Sequence, residues 1–144
     1  MNLKNYTSEA PAERSISRIE KRLVEMGAKN INKEYDDGVL KGIKFLIDVK
    51  GHTVVFMLPA RVSVVFDVMW KEVKRPHKET RDRIKMQAER TAWKLIADWV
   101  DIQASMIYLE QAEVMQVFLP YALMPNNQTF YDTIKDNGMK MLAQ

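Results

Sequence analysis

Residues 30–59 read NINKEYDDGVLKGIKFLIDVKGHTVVFMLP, and this stretch decides the fold. Asp36-Asp37-Gly38 is a strong hairpin signal, and Lys50-Gly51 is a second tight turn. Between them, residues 39–49 are rich in β-branched and aromatic side chains, as are residues 52–58 beyond the second turn. Residues 30–35 alternate weakly in front. Short turns pair sequential strands, so an antiparallel three-stranded meander is predicted. Such a sheet must be covered on one face, and the helical segments that flank it are the available cover.

Upstream, residues 1–10 read as a flexible lead-in. Ile16, Ile19, Leu23 and Met26 then recur at helical spacing, predicting a helix over 11–26 with Ser8 as its N-cap and Gly27 as its stop. Downstream, residues 60–73 read as a helix with Val64, Phe66, Val68 and Met69 inward and Trp70 closing it. Pro76 then breaks the pattern. Residues 79–113 hold no Gly or Pro and carry Ile84, Ala88, Ala92, Leu95, Trp99, Ile102, Met106 and Leu109 at spacings of three and four. That is one long helix. From Ala92 onward a second apolar set, Trp93, Ile96, Val100 and Ile107, lies off the first stripe. A helix apolar nearly all round needs cover on several sides. These four residues are therefore the predicted interface of a homo-oligomer. A last short helix is expected from Thr129, stopped near Asn137-Gly138.

The predicted class is thus α+β, in the order α-β-β-β-α-α-α, with a single domain over 11–144. Its first five elements share the order of a double-stranded-RNA-binding domain. Ala60-Arg61-Val62-Ser63 lacks the lysine cluster such domains carry at that point.

The chain has 144 residues, 47% apolar and 28% charged, with no cysteine. Disulfides, thiolate metal sites and cysteine nucleophiles are excluded. No apolar run reaches the roughly 18–20 residues of a membrane span. The first ten residues lack a signal-like apolar segment, so a cytoplasmic location is expected. The net charge of +3 is unevenly distributed. Residues 69–94 hold nine basic side chains against four acidic ones, a net of +5, and residues 95–144 hold two against six, a net of −4. Clustered cations of this kind suit phosphate neutralisation, and a solvated helix face would look the same. Lys71, Lys74, Arg75, Lys78, Arg81, Arg83, Lys85 and Arg90 are the candidate anion contacts. Trp70 is the aromatic best placed to stack on an unpaired base, while Trp93 and Trp99 read as packing residues.

Other motifs carry little. His52 and His77, the only histidines, have no partner at metal-ligand spacing. Asp98 and Asp101 share one helix edge, where Lys94 forms an ordinary ion pair with Asp98. Glu110 and Glu113 repeat that spacing. Neither GxGxxG, GxxxxGK[ST] nor GxSxG occurs. No cofactor, metal or catalytic group is indicated, which leans against an enzyme.

Ala92-Trp93-Lys94-Leu95-Ile96-Ala97-Asp98-Trp99, then Gln103, Val117-Phe118-Leu119-Pro120-Tyr121 and Thr129-Phe130-Tyr131, resemble a family of small tailed-phage and prophage proteins of unassigned function. Gly27-Ala28, Glu34-Tyr35-Asp36-Asp37-Gly38 and Phe56-Met57-Leu58-Pro59 extend the likeness. The resemblance implies an early-region phage setting, where neighbouring proteins handle DNA replication, recombination or host defence. Two functions then stand open. One is a non-catalytic accessory protein that binds nucleic acid non-specifically through the basic segment. The other is an oligomeric inhibitor of host defence that binds a host protein or a small anionic nucleotide.

Overall fold

The computed structural model describes residues 2–144 and is α+β, as the periodicities predict. Its elements are α1 (Ala12–Glu25), β1 (Lys29–Asp36), β2 (Val39–Val49), β3 (His52–Pro59), α2 (Val62–Trp70), α3 (Thr80–Tyr108), α4 (Val114–Phe118), a 3₁₀ turn (Leu119–Tyr121) and α5 (Phe130–Leu142). They group into two compact units. One comprises the chain up to Leu23 with Ala60–Ala104, the other Val24–Pro59 with Ser105–Gln144.

The sheet belongs to the second unit, and its strand order is β1-β2-β3, antiparallel throughout. Both turns have two central residues in the left-handed region: Asp37 (φ 51°) with Gly38 (φ 75°), and Lys50 (φ 51°) with Gly51 (φ 82°). That is type I′ geometry, whose twist matches the strands it joins. Alternation along β2 buries Ile43, Phe45 and Ile47. The first two of these pair across the ladder with the buried Leu58 and Phe56. Phe118, at the end of α4, sets its ring 5.7 Å from Phe45 edge-on and 5.9 Å from Phe56. The cover expected for this face therefore includes α4. β1, polar and largely exposed, is an edge strand with two register shifts.

In the first unit, α1 buries Ile16, Ile19 and Leu23, as its spacing predicts. Gly27 follows at φ 94°, where a left-handed stop belongs. Ser8 does not cap α1: its hydroxyl accepts the Ala10 N–H, and the helix starts later, at Ala12. The lead-in is not loose in this region. Thr91 Oγ1 donates to the Asn5 carbonyl, and Gln87 Nε2 donates to the carbonyls of Tyr6 and Ser8, at 2.9, 3.1 and 2.9 Å. Two polar residues one turn apart on α3 thus pin a segment with little apolar content.

α2 is shorter than expected and turned differently. Val62 and Met69 are buried, while Val64 and Val68 are exposed, so the inward face is not the one their spacing suggested. α3 stops at Tyr108 rather than reaching residue 113. Glu110 reverses the chain at φ 59°, and the Gln111 N–H donates to the Met106 carbonyl at 2.8 Å. A left-handed stop made by glutamate leaves no Gly or Pro to read. Glu113 then opens α4, its N–H held by Gln116 Oε1 at 2.8 Å. α5 runs straight through Gly138, whose φ is not positive and which is buried against Ile134.

Burial along α3 also departs from the predicted stripe. Ile84, Ala88 and Ala92 are buried, but beyond them the buried line moves to Trp93, Ala97, Val100 and Ala104. Leu95, Ile102 and Leu109 remain exposed. Trp93 and Val100, assigned above to an interface with a second copy, are each 0% exposed within this chain and have no surface to offer one. Ile96 and Ile107 are half-buried.

Candidate anion-binding site

The basic candidates all lie in the first unit, on the end of α2, the turn after it and the first turns of α3. Lys71, Lys74, Arg75, Lys78, Arg81, Arg83 and Lys85 are exposed, and Arg90 is half-buried. Pro76 and the irregular backbone around it keep the first four off a regular helix. None of the eight is ion-paired with a carboxylate among the described residues. Arg81 is engaged differently. Its guanidinium lies 5.0 Å from the Phe66 ring centre and 5.6 Å from that of Trp70, and the two rings are stacked at 5.7 Å. Trp70 is thus half-buried with Arg81 over its ring, rather than an open platform for a base.

Further along α3 the cations have partners. Asp98 accepts from Lys94 Nζ at 2.7 Å, from Asn5 Nδ2 at 2.9 Å and from Arg18 at 3.3 Å, with Lys4 at 3.6 Å. Asp101 accepts from Arg22 at 2.9 Å and also from Arg18. Partial burial opposes the charge on Asp98, but the bonds from Lys94 and Asn5 and the Lys94 charge overcome it and hold the carboxyl well below the usual range. Asp101 is lowered the same way, its partial burial outweighed by the bonds from Arg22 and Arg18. In turn Arg18 is raised, first by its bond to Asp101. These carboxylates tie α1 and the lead-in to α3. They are saturated with donors and poorly suited to proton transfer.

Beside the basic segment lies a cleft of about 850 Å³, within the range of small-ligand sites. Its floor is formed by the buried Met69, Thr80 and Ile84. The half-buried Tyr6, Gln87 and Arg90 stand above, and His77, Glu9, Glu79 and Arg83 are among the exposed residues of its rim. Residues 83, 87 and 90 follow helical spacing, which sets three polar side chains on one face of α3. The backbone N–H of His77 donates to Thr80 Oγ1 at 2.8 Å, which closes the turn ahead of α3. Gln87 spends its amide N–H groups on the lead-in, as above.

Of the predicted residues, the cleft gathers Arg83 and Arg90, while Lys71, Lys74, Arg75, Lys78, Arg81, Lys85 and Trp70 lie outside its lining. Tyr6, His77, Gln87 and Met69 join them unforeseen. The polar Gln87 and Thr91, four apart beside an apolar stripe, were the signal that something docks there. His52 is exposed on β3, well separated in sequence from any comparable group. Among the described residues, no group of three or more His, Asp or Glu side chains is placed to hold a metal ion, and no helix is long and apolar enough to cross a membrane. Comparisons of the chain with protein-family models, with curated proteins and with solved structures found no match.

Proposed function

We propose that this chain binds nucleic acid non-specifically and without catalysis, through the phosphate backbone, as a phage accessory protein in a replication or recombination setting. One observation carries the reading: its cations fall into two classes. Arg18, Arg22 and Lys94 are consumed by Asp98 and Asp101, whereas Lys71, Lys74, Arg75, Lys78, Arg83, Lys85 and Arg90 project without a carboxylate partner among the described residues. Cations without an internal ion pair are free to release counterions from a polyphosphate. Contact with phosphates alone positions a polymer without reading its bases. The phage setting rests on the resemblance of residues 91–131.

Fluorescence anisotropy with single- and double-stranded DNA and RNA, at about 50 and 200 mM salt, tests this. Micromolar binding that weakens steeply with salt, and that is lost in the triple variant Lys74→Ala/Arg75→Ala/Lys78→Ala, is the expected result. Absence of binding at the lower salt would exclude the reading and leave the segment as a solvated face.

A further inference from the structure

We propose that the cleft lined by Tyr6, Met69, His77, Ile84, Arg83 and Arg90 is a binding site for a nucleoside 5′-phosphate, sharing Arg83 and Arg90 with the basic segment proposed above to bind a polymer. The inference does not depend on polymer binding.

The lining carries both signs of charge, and this narrows the ligand. Arg83 and Arg90 offer planar guanidinium forks, the geometry that grips phosphate oxygens with two parallel hydrogen bonds. They stand two turns of α3 apart, about 10 Å along the axis. Neither has an acidic partner among the described residues, so neither must break an ion pair to take a ligand. Glu9 and Glu79 line the same cleft and would repel a bare phosphate or a polyanion threaded through it. A ligand that carries both anionic oxygens and N–H donors satisfies both. A nucleotide has these groups: phosphate for the arginines, ring N–H and amino groups for the carboxylates. Gln87 adds an acceptor, because its Nε2 is committed to Tyr6 and Ser8 while no donor reaches its Oε1 among the described residues. The apolar floor of Met69 and Ile84, with the half-buried Tyr6 ring in the lining, suits the flat face of a base. A volume of about 850 Å³ accommodates a nucleotide with room for water.

Isothermal titration of the full chain with adenosine and guanosine 5′-monophosphate tests the site, with inorganic phosphate and the two nucleosides as separate titrants. Saturable binding of at least one nucleotide below about 1 mM is expected, with phosphate and nucleosides each weaker by about tenfold or more. Arg83→Ala/Arg90→Ala should abolish nucleotide binding, and Arg83→Lys/Arg90→Lys should restore only part of it, because lysine lacks the fork. Backbone amide shifts on titration should concentrate in residues 6–9 and 77–90. Circular dichroism checks that each variant is folded, and the amide map of the unaltered chain locates the ligand should a variant fail to fold. Three results would overturn the proposal: no nucleotide binding at millimolar concentration, inorganic phosphate binding as tightly as a nucleotide, or amide shifts that fall elsewhere. Lys74→Ala/Arg75→Ala/Lys78→Ala separates the two functions, since it should lose polymer binding and keep nucleotide binding.

Discussion

Trp93 has no surface left to solvent, yet its indole N–H finds no hydrogen-bond partner among the described residues. The ring contributes by packing, at the cost of an unsatisfied donor. Trp93→Ala should therefore destabilise the chain by about 3–5 kcal/mol in urea unfolding. Trp93→Phe should cost clearly less, because removing the orphan N–H offsets part of the lost volume and such a donor costs about 1–3 kcal/mol. A Trp93→Ala chain with unchanged stability and an altered oligomeric state would instead restore the interface role. Asp98 supplies a second residue-scale prediction. Its folded pKa is depressed, so its stabilising contribution is complete above the ordinary carboxylate pKa of about 4 and is lost as pH falls from there toward the folded value. Asp101 acts in the same direction. Melting temperatures should fall between about pH 4 and pH 2. Asp98→Asn should lower the melting temperature at pH 7 and flatten that fall, because the amide no longer draws Lys94 and Arg18 as a charge does. An equally steep acid transition in the variant would show that other carboxylates govern it.

Among the elements, β2 is closely constrained at Gly42. A methyl group there would meet the Leu58 carbonyl oxygen at 2.7 Å and the Met57 sulfur at 3.0 Å, so β2 and β3 would have to part. Gly42→Ala should cost about 1–3 kcal/mol, as overpacking does. The second hairpin predicts the opposite sign. Lys50 occupies the first left-handed position of a type I′ turn, where asparagine is preferred, so Lys50→Asn should raise the unfolding midpoint modestly. Both turns were legible because their chemistry is local: each closes on a Gly, which supplies positive φ at no steric cost, directly after a polar residue. The end of α3 was not, since Glu110 adopts the left-handed conformation without the residue type that announces it. Gly138 is the converse, a residue that reads as a stop and sits inside a helix. At α2 and in the second half of α3, two adjoining faces are both apolar, so periodicity predicts a helix without choosing its inward side.

For the whole molecule, the consequential property is the separation of cations that serve stability from cations that do not. If the exposed set binds phosphates, Lys74→Ala alone should lower the slope of log affinity against log salt by about 1, and Lys74→Ala/Arg75→Ala/Lys78→Ala should lose measurable binding. The same variant should change unfolding free energy by no more than about 0.5 kcal/mol per site, because all three side chains are exposed and none makes a hydrogen bond, ion pair or ring contact among the described residues. A large loss of stability would mean that these side chains are structural after all. The strands, their turns, the long helix and the clustering of positive charge were readable from residue order, because backbone propensity, turn geometry and charge depend on neighbours a few positions away. Even the face that holds Arg83, Gln87 and Arg90 follows from helical spacing alone. Which apolar stripe is covered, which cations are neutralised, and that Tyr6 and Met69 meet that face are different matters. They depend on groups tens of residues apart being brought within bonding distance, and no local periodicity encodes such pairings.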